Sequence, residues 1–173
     1  MGRSCIEIPF FSRCSQSTEG IAILLGSCLV ETISSHGEAS LVVALIGPLG
    51  AGKTVFARAL ARSLGVEPKA VASPTFVVER IYQGIVPVRH FDLYRIEEER
   101  LLLEIGFEEE LGKPGLTTVE WAERAEGMLR EEERIEIVFD VTTEDTRHII
   151  IRDYYMPSIV ATCFGVHGTF ADS

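Results

Sequence analysis

The 173-residue chain contains no asparagine and only two glutamines, Gln16 and Gln83. The first absence removes any Asn-Lys-x-Asp element, so a guanine-specific nucleotide site of that kind is excluded. Basic residues are few. With 16 Lys and Arg against 26 Asp and Glu, the net charge of −10 excludes a protein that wraps nucleic acid by its own charge. Four cysteines, Cys5, Cys14, Cys28 and Cys163, are scattered without a C-x-x-C pair. That excludes zinc spacing and gives no disulfide framework, so reduced thiols in a cytoplasm are expected. Long apolar runs are missing too. Ile21 to Val30 is apolar, but ten residues do not span a bilayer, and Glu19 stands where a signal peptide would carry positive charge. No membrane partner is expected.

What is present is a complete phosphate-binding loop. Residues 47–54 read Gly-Pro-Leu-Gly-Ala-Gly-Lys-Thr, which fills the pattern Gly-x-x-x-x-Gly-Lys-Thr. Leu41 to Ile46 before it is an unbroken apolar run, as a strand buried on both faces requires. Val55 to Leu64 after it has helical spacing, with Val55, Phe56, Ala59 and Leu60 inward and Arg58 and Arg62 outward. Strand, glycine loop and helix together make the motif specific. Gly47, Gly50 and Gly52 let the backbone curl so that N–H groups converge on phosphates. The nucleotide cradle is therefore Gly47, Pro48, Leu49, Gly50, Ala51, Gly52, Lys53, Thr54 and Val55. Lys53 supplies a point charge for the β- and γ-phosphates, facing ligand and not core, and the Thr54 hydroxyl suits Mg²⁺. ATP and Mg²⁺ are the expected ligands.

The remaining pattern gives one α/β unit. Residues 5–11 read as a strand, with Pro9 favouring an edge. A helix capped by Ser17 or Thr18 runs to about Ser34, with Ile21, Leu24, Leu25, Cys28, Leu29 and Ile33 on one face. His36-Gly37-Glu38 makes the turn into the loop-bearing strand. Phe76 to Tyr82 and Ile85 to Phe91 read as a hairpin about Gln83-Gly84. Helices are expected over Glu97 to Gly106, with Phe107 to Leu111 as a second short helix, and over Ala122 to Leu129, and strands over Leu116 to Trp121, Arg134 to Thr142 and Arg147 to Tyr154. The domain is drawn as 1–155, with 156–173 a tail that is either loosely ordered or a short apolar cover for the core.

Charge is unevenly placed. Lys53 to Arg95 carries seven Lys and Arg against three Asp and Glu, and would surround a triphosphate. Glu97 to Glu133 carries thirteen Glu against four basic residues. A solvated helical face is the plainer reading of that segment, and a docking surface for a basic partner the sharper one. No Asp-x-x-Gly switch and no apolar run ending in a Walker-B aspartate is present. Two acids close strands instead: Asp92 in His90-Phe91-Asp92-Leu93-Tyr94-Arg95, and Glu120 in Val119-Glu120-Trp121. Strand ends in an open sheet are where ligands sit.

The loop, then Ser73-Pro74-Thr75-Phe76, then His90 to Arg95, then Val119-Glu120-Trp121, in this order and spacing, resemble the TsaE (YjeE) family. That family is the P-loop ATPase of bacterial tRNA threonylcarbamoyladenosine (t6A) biosynthesis. The resemblance covers roughly residues 17–152, and Pro48 departs from the acidic residue usual at its position. It implies a single P-loop NTPase-like α/β domain, with a mixed central sheet and flanking helices. It also implies slow, Mg²⁺-dependent ATP hydrolysis in support of TsaD and TsaB at A37, with tRNA met only through those partners. By the same resemblance Glu120 joins Thr54 on the metal side. Asp92 then positions the attacking water or lies in the outer shell, and Thr75 belongs to a switch facing the γ-phosphate. Lys53, Thr75, Asp92 and Glu120 are thus the expected catalytic set. His90 and Tyr94 are expected to hold the Asp92 segment. A small-molecule kinase and a non-enzymatic nucleotide sensor are the competing readings.

Overall fold

The apolar run ending at Ile46 becomes the central strand of a mixed sheet. In the computed structural model the described residues are 4–35, 39–71, 74, 77–129, 134–143, 145–155, 157–165 and 171–172. The strands are β1 (Ser4–Ser12), β2 (Ser40–Ile46), β3 (Glu79–Gln83), β4 (Pro87–Asp92), β5 (Gly115–Glu120), β6 (Arg134–Val141), β7 (Arg147–Asp153) and β8 (Ala171–Asp172). The helices are α1 (Ser15–Ser35), α2 (Lys53–Ser63), α3 (Arg100–Glu104), α4 (Phe107–Leu111) and α5 (Pro157–Cys163). The strand order is β3-β4-β5-β2-β6-β7-β1-β8. Strands β4, β5, β2 and β6 run parallel, and β3, β7 and β1 pair antiparallel to their neighbours. The expected mixed α/β sheet with flanking helices is what the chain forms.

Because side chains alternate along a strand, β2 serves two cores. Leu41, Val43 and Leu45 join residues of α1, α2, β6 and β7 on one face. Val42 and Ala44 join Phe91, Leu102, Phe107, Val119 and Leu129 on the other. Gly26 of α1 permits the close approach of α1 to α2, since a Cβ there would lie 1.8 Å from the Ser63 hydroxyl oxygen. Val160 and Ala161 of α5 are buried in the first core. Among the described residues β8 pairs with β1 at Ser4 and Cys5, and none pairs with the outer side of β1 at Pro9.

Several expectations give way to local geometry. Leu24 is exposed, and Ala22 takes its place on the buried face of α1. This helix extends well past the apolar run: Ser15–Ser34 has the length and composition to cross a membrane, yet one face is packed into the first core. The helix expected over 97–106 contracts to α3, while the short helix expected over Phe107 to Leu111 forms as α4, opened by Gly106 at a left-handed φ of 70°. The helix expected over 122–129 is a single 3-10 turn, Ala122–Ala125. Strand β3 starts only at Glu79, after Val78 at φ 67°. The His36-Gly37-Glu38 turn and the start of the expected 76–82 strand fall outside the described residues.

The thiol expectation is corrected as well. Cys28 of α1 and Cys163 of α5 form a disulfide across a sequence separation of 135, while Cys5 and Cys14 are free. Such a pairing joins segments that no local spacing relates. Closing so long a loop restricts the unfolded chain, so Cys28→Ser should lower unfolding free energy by about 2–5 kcal/mol. Denaturant midpoints of parent and variant, each with and without dithiothreitol, check this: reductant should move the parent and not the variant.

Candidate active site

The glycine loop leaves β2 at Ile46 and enters α2 at Lys53. Gly47 sits at φ 145°, and a Cβ there would lie 2.6 Å from the Phe139 carbonyl oxygen, so the loop passes β6 only as glycine. Gly50 and Gly52 are also at positive φ, 75° and 105°. Gly52 is the N-cap of α2 and no side chain caps that end. The helix therefore presents its positive terminus at the loop.

Lys53 is folded back over this loop. Its ammonium donates to the carbonyls of Gly47 and, at 2.8 Å, of Pro48. It lies 3.7 Å above the Trp121 ring centroid. Lys53 is 4% exposed, sheltered by the loop and Trp121, and it lines the cleft at the loop. Burial pushes its pKa down, against the opposing charges of Glu123, Glu120 and Asp92. Trp121 itself is left-handed, at φ 60° and ψ 42°, which costs a non-glycine residue roughly 1–2 kcal/mol. Tyr94 packs on it at 5.1 Å between centroids.

Strand register assembles the acids. Strands β4 and β5 run parallel with Asp92 opposite Glu120 and His90 opposite Thr118. Phe91 and Val119 face the second core, so His90, Asp92 and Glu120 face α2. The Thr54 hydroxyl donates to Glu120 Oε2 at 2.6 Å. His90 Nε2 lies 2.8 Å from Glu120 Oε1. The Tyr94 N–H donates to Asp92 Oδ1 at 3.0 Å. Asp92 and Glu120 are both buried. Tyr94 thus holds the Asp92 segment as expected, whereas His90 is engaged with Glu120.

A cleft of about 330 Å³ is lined by Leu49 to Val55, Asp92, Tyr94, Glu120 and Trp121. Gly47 and Pro48 bound it through their contacts with Lys53. Every residue of the expected set except Thr75 is brought together here. Thr75 and Ser73 lie outside the described residues.

Sequence reasoning missed the opposite flank of the loop. There a cavity of about 390 Å³ is lined by Arg13, Cys14, Ser15, Thr18, Gly50, Gly52, Val55, Asp145 and Arg147. The Arg147 guanidinium donates to the Gly50 carbonyl at 3.3 Å. The Ser12 hydroxyl, bonded to Thr18 Oγ1 at 2.7 Å, fixes the turn from β1 into α1. These residues come from the β1–α1 and β6–β7 turns, so no contiguous signal marks them.

The donor set fits a magnesium nucleotide. Among the described residues no three His, Cys, Asp or Glu cluster as a metal cage. Thr54 and Glu120 supply two hard oxygens, the sparse protein set typical of Mg²⁺ that also takes phosphate ligands. The Lys53 ammonium, held by carbonyl oxygens, occupies the loop that an anion would fill.

The family described as "Threonylcarbamoyl adenosine biosynthesis protein TsaE" matches residues 17–149. The chain is 39% identical over 109 residues to the tRNA threonylcarbamoyladenosine biosynthesis protein TsaE of Bacillus subtilis, covering 62% of this chain and 66% of that protein. It is 40% identical over 114 residues to the protein of the same name from Nostoc sp., covering 63% and 64%. With the Treponema pallidum protein of that name it is 34% identical over 120 residues, covering 69% and 82%. The aligned stretch thus spans just under two thirds of the first two relatives. The crystal structure of Bacillus subtilis YdiB superposes with a TM-score of 0.71 at 24% identity, over 93% of this chain and 96% of that one. That likeness carries the fold.

Proposed function

The chain belongs to the TsaE family, a family of tRNA threonylcarbamoyladenosine biosynthesis proteins, and from that premise we propose that it is the ATP-hydrolysing subunit of the pathway. In this reading it acts with TsaD and TsaB in the cytoplasm, meets tRNA through them, and uses Mg²⁺·ATP. The observation that carries the reading is the convergence of Lys53, Thr54 and Glu120 at one glycine loop, with Asp92 beside them.

Each residue has a task in that reaction. The loop backbone and the α2 terminus bind the phosphates. Lys53 exchanges the Gly47 and Pro48 carbonyls for β- and γ-phosphate oxygens. Thr54 and Glu120 would hold Mg²⁺, which would supply positive charge against that developing on the phosphates. Asp92 orients the attacking water and draws its proton as the oxygen bonds to phosphorus. The bridge to the β-phosphate then breaks, and ADP and phosphate leave.

Arg124 lies nearby in sequence, but its guanidinium donates to the Ile96 carbonyl at 2.6 Å and stacks over Tyr94 and Trp121. It is therefore not poised as an internal arginine finger. Slow turnover alone, raised by partners, is the expectation that family membership supports. The test is phosphate release by the protein alone, with TsaD, with TsaB and with both. Both together should raise the rate at least about tenfold, a floor well below the roughly 10³–10⁵ that a supplied arginine provides. Rates indifferent to either partner, or transfer of phosphate to a small molecule, would refute the reading.

A further inference from the structure

We propose that His90 is a positioning residue for the metal-side carboxylate, fixing Glu120 in the orientation that Mg²⁺ requires. This rests on the proposed Mg²⁺·ATP reading of the site. Glu120 is 2% exposed, and a carboxylate so buried is tolerated only with hydrogen-bond donors. It has one donor on each oxygen, and they come from different elements. Thr54 of α2 reaches Oε2 at 2.6 Å, and His90 of β4 reaches Oε1 at 2.8 Å. A carboxylate only accepts, so Nε2 is the nitrogen that donates.

The two donors differ in what happens when metal is bound. The Thr54 hydroxyl that now points at Glu120 is the group that turns its oxygen to Mg²⁺. Glu120 then keeps His90 as its fixed donor. The imidazole is 1% exposed and diagonal to Glu120 across the parallel β4–β5 pair, so strand register sets its position. Its other nitrogen, Nδ1, is buried with no hydrogen-bond partner among the described residues. A histidine kept to secure the β4 backbone would use that nitrogen on a carbonyl or an amide. Here the hydrogen bond found for the ring goes to Glu120. Histidine and carboxylate partners of this kind orient metal ligands, and their loss typically weakens metal affinity or activity by about 10–100-fold.

The effect is therefore tied to the metal and not to the nucleotide. The experiment compares His90→Gln, whose amide nitrogen reaches the place of Nε2, with His90→Asn, whose shorter side chain does not. ATP affinity is measured by calorimetry in EDTA and in Mg²⁺, together with the Mg²⁺ concentration that gives half-maximal phosphate release. In His90→Asn the half-maximal Mg²⁺ should rise about 10–100-fold and the tightening of ATP by Mg²⁺ should shrink accordingly. Affinity in EDTA should stay at the parental value, and His90→Gln should behave as the parent.

The parent protein gives a second readout that needs no variant. With nitrogen-15-labelled histidine, the His90 Nε2 resonance should shift when Mg²⁺ is added to the ADP complex and stay in place with ADP in EDTA. Equal behaviour of the Gln and Asn variants, an affinity loss in EDTA as large as that in Mg²⁺, or a resonance blind to Mg²⁺ would overturn the proposal. A parent that neither binds nor hydrolyses ATP would instead refute the underlying nucleotide reading.

Discussion

Replacing Lys53 by alanine is expected to weaken ATP binding by about 10²-fold or more, the loss of two charge-assisted hydrogen bonds of roughly 1.5–3 kcal/mol each. The geometry adds a second consequence. The ammonium links the Gly47 and Pro48 carbonyls and rests on Trp121. Its removal leaves two carbonyls without that donor and an aromatic face without its cation. The folded domain should therefore also lose about 1–3 kcal/mol. Calorimetry reads the affinity and thermal melting the stability. Unchanged affinity in a folded variant would contradict the assignment of the loop.

The two carboxylates should separate chemistry from binding. Asp92→Ala and Glu120→Ala are each expected to lower the hydrolysis rate by about 10²–10⁴-fold, the span attributed to a positioned proton acceptor. ATP affinity should change less than the rate, because these groups act on water and on charge that develops in the transition state. Only Glu120→Ala should also raise the Mg²⁺ requirement, since Thr54 and Glu120 share one hydrogen bond and Asp92 stands outside it. Glu120→Ala further leaves the Thr54 and His90 donors without their acceptor, so a lower melting temperature accompanies it. Single-turnover phosphate release beside calorimetric affinity resolves the two effects. Parental rates in both variants would remove these acids from the site.

How much of this was legible in the sequence depended on distance along the chain. The loop and its flanking strand and helix are contiguous, so composition and spacing sufficed for them. Asp92 and Glu120 were legible as acids ending strands, and a parallel register places them opposite one another. The His90–Glu120 hydrogen bond depends on that register, and a sequence does not state register. Arg147 of β7 and Thr18 of α1 line one cavity at the loop although they are far apart in sequence, and the Cys28–Cys163 link joins two helices that meet only after folding. Helix lengths failed where backbone conformation intervened. Gly106 turns left-handed between α3 and α4, and Trp121 turns left-handed just before the 3-10 segment. The break at Gly106 and the short helix after it were legible in the spacing, whereas nothing in the sequence signals a left-handed Trp121.

The most direct test of the central claim, that this loop and its carboxylates hydrolyse ATP with Mg²⁺, is phosphate release with TsaD and TsaB present. Mg²⁺ is titrated into EDTA-treated parent protein and into Glu120→Gln. The account predicts continuous ADP and phosphate production that rises with Mg²⁺ in the parent and is reduced by about 10²-fold or more in the variant. Equal rates in the two proteins, or no phosphate release from the parent at any Mg²⁺ concentration, would contradict it.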